Sequence, residues 1–388
     1  YFVDNADPSL IVCDPEQEQL FRELAKGKKC EVLTLDAAGK GQLCEAALEA
    51  PPEFAITVRK ATDVAVLLYS SGTTGIPKGA MLSHGNLAAN TTTLVEYWGF
   101  TPADNLLHAL PVYHAHGLFV ALGCVLMSGA SMTFLPRFDP DDVLAALPHS
   151  TVMMGVPTFY TRLLRDERFT REVCANIRLF ISGSAPLLTS TFNEFEQRTG
   201  HLILERYGMT ETSMNASNPL EGERRPGSVG LALPGVSLRV VDDNGDELPA
   251  GEVGHLQVQG PNVFSGYWRM REKTAEEFTE DGYFETGDQA IIEADGYVSI
   301  VGRSKDLIIS GGLNVYPREV EAVLDGLPEI GESAVIGAPH PDYGEAVLAI
   351  VVPAPGQEVA GPALIAQLRS RIAAYKLPKQ VFVCLLYT

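Results

Sequence analysis

The stretch YSSGTTGIPKGAMLSH, Tyr69 to His84, governs how the rest of the chain is read. It follows the apolar run VAVLLY and gathers Gly72, Gly75 and Gly79, the hydroxyls of Ser70, Ser71, Thr73 and Thr74, and the amine of Lys78. Glycines let backbone N–H groups converge on an anion, hydroxyls add donors, and a lysine adds charge. The segment therefore reads as a phosphate-holding loop at the carboxyl end of a buried strand, where open α/β sheets place their ligands. It is not a Walker A loop, because Lys78 is followed by Gly79 rather than Ser or Thr, and it is not G-x-G-x-x-G.

Outward from this loop, apolar runs alternate with helical stretches. VAVLLY, LLHAL, MTFL, TVMMGV and IRLFIS predict buried strands. Residues 86–98, 118–127, 140–147 and 187–199 predict helices, and Asp139-Pro140 is a good helix start. The uncharged run 118–135 is about as long as a membrane span, but its glycines and serines predict a buried helix, a turn and a buried strand. Strand–helix alternation implies a mostly parallel sheet covered by helices. After Arg225, short strands with the turns Asp243-Asn244-Gly245 and Asp295-Gly296 predict a β-rich subdomain over about 226–302. From Arg303 the pattern becomes strand, helix (317–327), two strands around Val335 and Ile350, and a helix over 362–374. The expected class is α/β: a large N-terminal domain (1–302) of mostly parallel helix-covered sheets, then a small mobile α+β domain (303–388) joined near Gly302–Lys305.

Composition narrows the partners. The 388 residues carry a formal net charge of −20, which argues against nucleic acid or an anionic membrane as the main partner. An anionic ligand must then be met by local donors. Six cysteines show no C-x-x-C pair and no zinc spacing, as expected of reduced thiols in an intracellular, cytoplasmic protein. With no signal peptide visible and the N-terminus unassigned, a mitochondrial origin stays open. The chain opens without Met on YFVDNADPSLIVCD and stops at VFVCLLYT, so both ends read as cut.

Further motifs stand beside the loop: YGMTE (207–211), TGD (286–288) and GRSKDLIISGG (302–312). In this order and spacing the set resembles the adenylate-forming superfamily of acyl-CoA synthetases, luciferase and adenylation domains. The resemblance implies that Ser70, Ser71, Gly72, Thr73, Thr74, Gly75 and Lys78 hold the β- and γ-phosphates of ATP. It implies that Gly183, Ser184, Ala185 and Pro186 flank the adenine with Glu205, Tyr207, Gly208 and Met209. By the same resemblance Thr210 meets the α-phosphate, Glu211 binds Mg²⁺, and Asp288 with Arg303 grips the ribose. Lys305 matches the hinge, His114 the gate of the acyl pocket with His116 nearby, and Gly311 and Gly312 the coenzyme A side. The implied reaction is adenylation of a carboxylic acid, then transfer to a thiol.

Within the superfamily, ISGSAPLL, LILERYGMTETSMNASNP, PVYHAHGLF and GPNVFSGYWRMREKT resemble malonyl-CoA synthetases. Arg206 ends an apolar strand one residue before the tyrosine matched to adenine. A buried cation there is costly without an anion. A diacid such as malonate supplies one: one carboxylate reacts while the other pairs with the guanidinium. The alternative at this stage is a structural ion pair with Glu205 or a surface acid. Methylmalonate or another small acid, a carrier-protein-loading adenylation domain, and a catalytically impaired nucleotide-binding fragment are the rival readings. The last follows from the ends: relatives continue into a PR-x-x-x-GK segment whose lysine assists adenylation, and its absence here predicts a poor first step. Oligomeric state is not readable.

Overall fold

The computed structural model describes residues 1–70, 76–310, 313–340 and 343–384. Two compact units are present: Tyr1–His84 with Ser265–Arg271, and Gly85–Phe264 with Glu272–Thr388.

The first unit holds a parallel pair, β1 (Leu10–Cys13) and β2 (Glu31–Thr34), with the helix Glu18–Leu24 packed beside it. Its second element corrects the sequence expectation. VAVLLY is not a strand of a parallel sheet: β3 (Val64–Ser70) pairs antiparallel with β4 (Lys78–Ser83). Six residues expected to be loop are therefore strand. The segment 265–271 lies along β4, with Trp268 N donating to Gly79 O and Met81 N to Gly266 O.

The second unit is built on a seven-stranded sheet. Its strands are β5 (Asn105–His108), β6 (Ser131–Phe134), β7 (Val152–Gly155), β8 (Leu179–Ser182), β9 (Ile203–Met209), β10 (Ser213–Ser217) and β11 (Leu231–Ala232). In the order β6-β5-β7-β8-β9 all pairs are parallel, and β10 and β11 continue antiparallel. One face packs Leu106, Val152, Ile181 and Leu204 against the helix His84–Tyr97 and the turn-helix over 116–128. The other packs Leu107, Met153, Phe180 and Ile203 against the helices Pro140–Ala146, Pro157–Leu164 and Thr189–Thr199. Helices on both faces are what parallel strands of near-continuous apolar sequence require. The run over 118–135 resolves into a π-helical turn (His116–Ala121), an α-helix (Leu122–Ser128), Gly129 at φ +71° and β6. Contrary to expectation β6 is a half-exposed edge strand, with Phe134 52% exposed. The helix Pro157–Leu164 was not expected; Pro at its first turn was the available signal.

A four-stranded antiparallel sheet follows: β12 (Ser237–Val241), β13 (Gly254–Gln259), β14 (Phe284–Ile292) and β15 (Val298–Arg303). Both predicted turns are there, with Gly245 and Gly296 in the left-handed region at φ +89° that L side chains resist. The 3₁₀ turn Ser304–Asp306 leads into a separate five-stranded sheet of β16 (Ile308–Ser310), β17 (Leu313–Val315), β18 (Ile330–His340), β19 (Gly344–Pro353) and β20 (Gln380–Val383). It has its own core around Val320, Leu324, Val347 and Leu364. The last helix spans Gly361–Leu368, shorter than expected. Among the described residues no helix is long and apolar enough to cross a membrane.

Candidate active site

Strand β9 carries the site because successive side chains on a strand point to opposite faces. Leu204 and Arg206 share the face covered by the π-helical turn, while Ile203 and Glu205 share the other. Arg206 is 3% exposed. Its guanidinium lies against Gly183, where any Cβ would come within 2.4 Å of Cζ and 2.6 Å of Nε. Glycine is needed at 183 for that reason. Neither Nε nor Nη2 has a hydrogen-bond partner, and among the described residues Arg206 makes no ion pair. Burial pulls its proton affinity down to about 10, partly restored by Tyr160 and Glu205, so it remains a cation at neutral pH. An unpartnered buried N–H costs about 1–3 kcal/mol, more on a charged group. The structural ion pair with Glu205 is therefore not made: the strand turns the two side chains apart, and Glu205 Oε2 is itself unpartnered.

His116 sits at the start of the π-helical turn, buried, with Nδ1 3.3 Å from Ser184 Oγ and no partner at Nε2. Burial first, then Arg206 and His108, push its pKa well down, so the ring is neutral. Ser184 takes φ +70°, a left-handed conformation that costs a non-glycine residue about 1 kcal/mol and recurs at functional sites. His114 is exposed, its ring 4.6 Å from that of Tyr113.

Glu205 is 4% exposed; Oε1 accepts from Leu187 N at 3.0 Å. Burial pushes its carboxyl up to about 7, against the pull of that N–H, Arg318 and Arg206. A carboxyl raised by folding is penalised as it ionises. The penalty is absent below about 4.5, grows as pH rises toward 7 and is complete above it. Glu205→Gln keeps the acceptor for Leu187 and removes the charge. Its expected effect is a gain of about 2–3 kcal/mol at pH 8 that shrinks to nearly nothing by about pH 4, read from denaturant unfolding at both pH values. A gain independent of pH would contradict this.

Asp288 and Arg303 are direct cross-strand partners on β14 and β15, with Arg303 Nε 2.7 Å from Asp288 Oδ1. The other oxygen, Oδ2, accepts from Tyr207 OH. Burial raises the Asp288 carboxyl, opposed by Arg303 and Tyr207. Thr210 is half-buried in the turn between β9 and β10, and Glu211 beside it is 5% exposed. The Glu211 charge is among those that raise Asp288, so the two carboxylates share one region. Gly208 and Met209 end β9, with a Cβ at 208 barred by Ser213 O at 1.9 Å.

A cleft of about 740 Å³ is lined by several of these groups. Its walls include Ser184, Ala185, Pro186, Glu205 to Gly208 and Asp288 on one side. Arg303, the exposed Lys305, and Pro317 and Arg318 from the helix Pro317–Asp325 lie on the other. Such a volume suits a ligand of nucleotide size. In the first unit, Ser70 pairs with Lys78 across the hairpin, and Lys78 is buried with Nζ 4.2 Å over the Tyr267 ring centroid. Ser71, Gly72, Thr73, Thr74, Gly75, Gly311 and Gly312 lie outside the described residues. Two residues the motifs did not single out bear on the site: Arg318 in the cleft wall, and His108, fully buried at the end of β5, whose charge acts on His116. A histidine within the otherwise apolar run LLHAL was the signal for the second.

Comparison with known proteins agrees with this arrangement. The family described as AMP-binding enzyme matches residues 1–268, and its C-terminal domain matches residues 319–385. A probable CoA ligase of Humulus lupulus is 40% identical over 352 residues, covering 82% of this chain and 58% of its own. The chain thus spans less than two thirds of that relative. The mitochondrial malonate–CoA ligase of Mus musculus is 38% identical over 420 residues, covering 99% of this chain and 71% of its own. The ATP-bound crystal structure of MatB from Rhodopseudomonas palustris is 54% identical, with a TM-score of 0.97 over 99% of this chain and 76% of that one. The chain belongs to the AMP-binding enzyme family, the adenylate-forming superfamily.

Proposed function

We propose that the protein activates malonate with ATP, as malonyl-adenylate, and passes the acyl group to coenzyme A. Arg206 is the observation that carries this: a buried guanidinium beside the cleft with two N–H groups that the protein leaves unpartnered. A monocarboxylate would leave it so, whereas a diacid gives it a bidentate partner. The malonate ligases among the relatives support the same acid.

In the first step one malonate carboxylate attacks the α-phosphorus, the bond to the β-phosphate breaks, and pyrophosphate leaves. Tyr207, with its hydroxyl tied to Asp288, offers its ring to the adenine, and Asp288 with Arg303 offers the ribose a fixed acceptor and donor. Thr210 is assigned to the α-phosphate and Lys78 to the departing phosphates. Glu211, a buried carboxylate, suits Mg²⁺, which takes one or two carboxylates plus phosphate oxygens. Bound there, the ion neutralises phosphate charge. These residues act by positioning and electrostatics. In the second step the coenzyme A thiol attacks the acyl carbonyl and AMP leaves, with Gly311 and Gly312 assigned to the coenzyme A side.

Lys305, exposed in the 3₁₀ turn between the two C-terminal sheets, is assigned as the hinge about which residues 303–388 turn between steps. Lys305→Pro fixes that dihedral. Pyrophosphate release should largely survive while thioester formation falls by about a hundredfold or more, the two half-reactions being measured separately. An equal loss in both would remove the hinge assignment. The function itself is tested by AMP release from the full-length protein with malonate, methylmalonate, acetate and a fatty acid, each with coenzyme A. Malonate should lead, and a fatty acid in first place would overturn the assignment. A cytoplasmic site of action fits this chemistry, and cell fractionation tests it against the mitochondrial address of the mouse relative.

A further inference from the structure

His108 ends β5 on the same sheet face as Leu106 and Arg206. It is fully buried, yet neither Nδ1 nor Nε2 has a partner in the protein. Two other buried polar side chains packed in these layers do find backbone partners. Tyr160 OH donates to Ile181 O at 2.6 Å, and Asn90 Nδ2 donates to Met214 O at 2.8 Å. A histidine kept in the core for packing alone would be expected to find such a backbone partner. The nearest ring to His108 is that of Phe134, 5.3 Å away on the edge strand, which offers no acceptor.

What His108 does share is a neighbour. Strand β5, which His108 ends, packs against the π-helical turn that carries His116, and the charges of Arg206 and of His108 both bear on the His116 ring. Arg206 and His108 lie on one sheet face beneath the π-helical turn that carries His116, a backbone irregularity that recurs at functional sites. All three side chains are more than nine-tenths buried, and together they hold five nitrogen atoms without a protein partner. A diacid held by Arg206 answers for Nε and Nη2. The remaining three belong to the two imidazoles, and one from each ring gives a bridging water the two polar partners it needs.

We propose that His108 is a positioning residue of the acid site: from the far end of this polar seam it fixes the His116 ring beside Arg206 and so sets the preference for a diacid over a monoacid. Taking malonate as the acid, as proposed above, the chemistry follows from the ring. His116 Nδ1 is committed to Ser184 Oγ, so the group held at Nε2 decides which nitrogen carries the proton. His108 holds that group, the bridging water, through one of its own nitrogens. An apolar residue at 108 would leave the His116 ring free to turn and the distal carboxylate less well held.

The test uses the full-length protein and steady-state kinetics with malonate and with acetate. His108→Leu, close to the histidine in volume, should raise the malonate KM about tenfold, the loss of one hydrogen-bonded support, with kcat within about threefold. The acetate KM should stay within about twofold. His108→Asn, which restores a donor and an acceptor, should recover most of the malonate KM. Should the leucine variant fold poorly, His108→Ala measured with and without added imidazole gives the same comparison, with imidazole lowering the malonate KM and not the acetate KM. Equal rises for both acids, or an asparagine variant no better than leucine, would overturn the inference and leave the malonate assignment intact. A wild-type protein that turned over acetate and not malonate would instead overturn the assignment of the acid, and this inference with it.

Discussion

Arg206→Leu should cost the protein its diacid and little else. Removing the guanidinium leaves the distal carboxylate of malonate buried without a counter-charge, a loss of about 2–5 kcal/mol, or roughly thirtyfold to several thousandfold in kcat/KM. A monocarboxylate of similar size loses nothing comparable, because it never engaged the cation, and its turnover should hold or improve. The fold should also gain, since a buried charge with unpartnered N–H groups is replaced by an apolar side chain against Gly183. Thermal unfolding and the ratio of kcat/KM for malonate and propionate read the two effects separately. Equal loss with both acids would mean that Arg206 supports the architecture of β8 and β9 rather than the substrate.

The second large effect is expected at Asp288. Its two oxygens hold Arg303 Nε and Tyr207 OH at once, so a single carboxylate orients the two side chains assigned to the ribose and the adenine. Asp288→Ala removes a charge-assisted acceptor worth about 1.5–3 kcal/mol and releases both neighbours. The KM for ATP in pyrophosphate exchange should rise by about a hundredfold, while the KM for malonate should move by less than about threefold. Arg303 is half-exposed and can turn to water, so the stability cost should stay within about 1–3 kcal/mol, arising mainly from the Tyr207 hydroxyl. An unchanged ATP KM would reduce Asp288 to a cross-strand tie.

The parallel strands were legible because they are short, apolar on both faces and bounded by helical spacing, as in LLHAL, TVMMGV and IRLFIS. The same rule misled at VAVLLY. An apolar run carries no mark of its partner, and KGAMLS, with a glycine and two small residues among six, does not look like a strand until the hairpin register aligns it with β3. The turns at Gly245 and Gly296 were legible because their backbone conformation needs glycine. At the site, Arg206 stood out from sequence as a cation ending an apolar strand. Its independence from Glu205 was also implicit there, since neighbours on a strand face opposite ways. What could not be read was the use of Gly183 as the floor under the guanidinium, because that contact joins two strands. His108 does not stand out in the sequence for a plainer reason: one histidine at the end of a strand leaves the apolar pattern around it intact.

The central claim is that the Arg206 guanidinium holds the unreactive carboxylate of a diacid. A crystal structure of the full-length protein with a non-hydrolysable malonyl-adenylate analogue tests it directly. The account predicts the distal carboxylate within about 3 Å of both Arg206 Nε and Nη2, in the paired geometry that guanidinium and carboxylate prefer. A distal carboxylate turned to solvent or to another cation, with Arg206 still unpartnered, would contradict it.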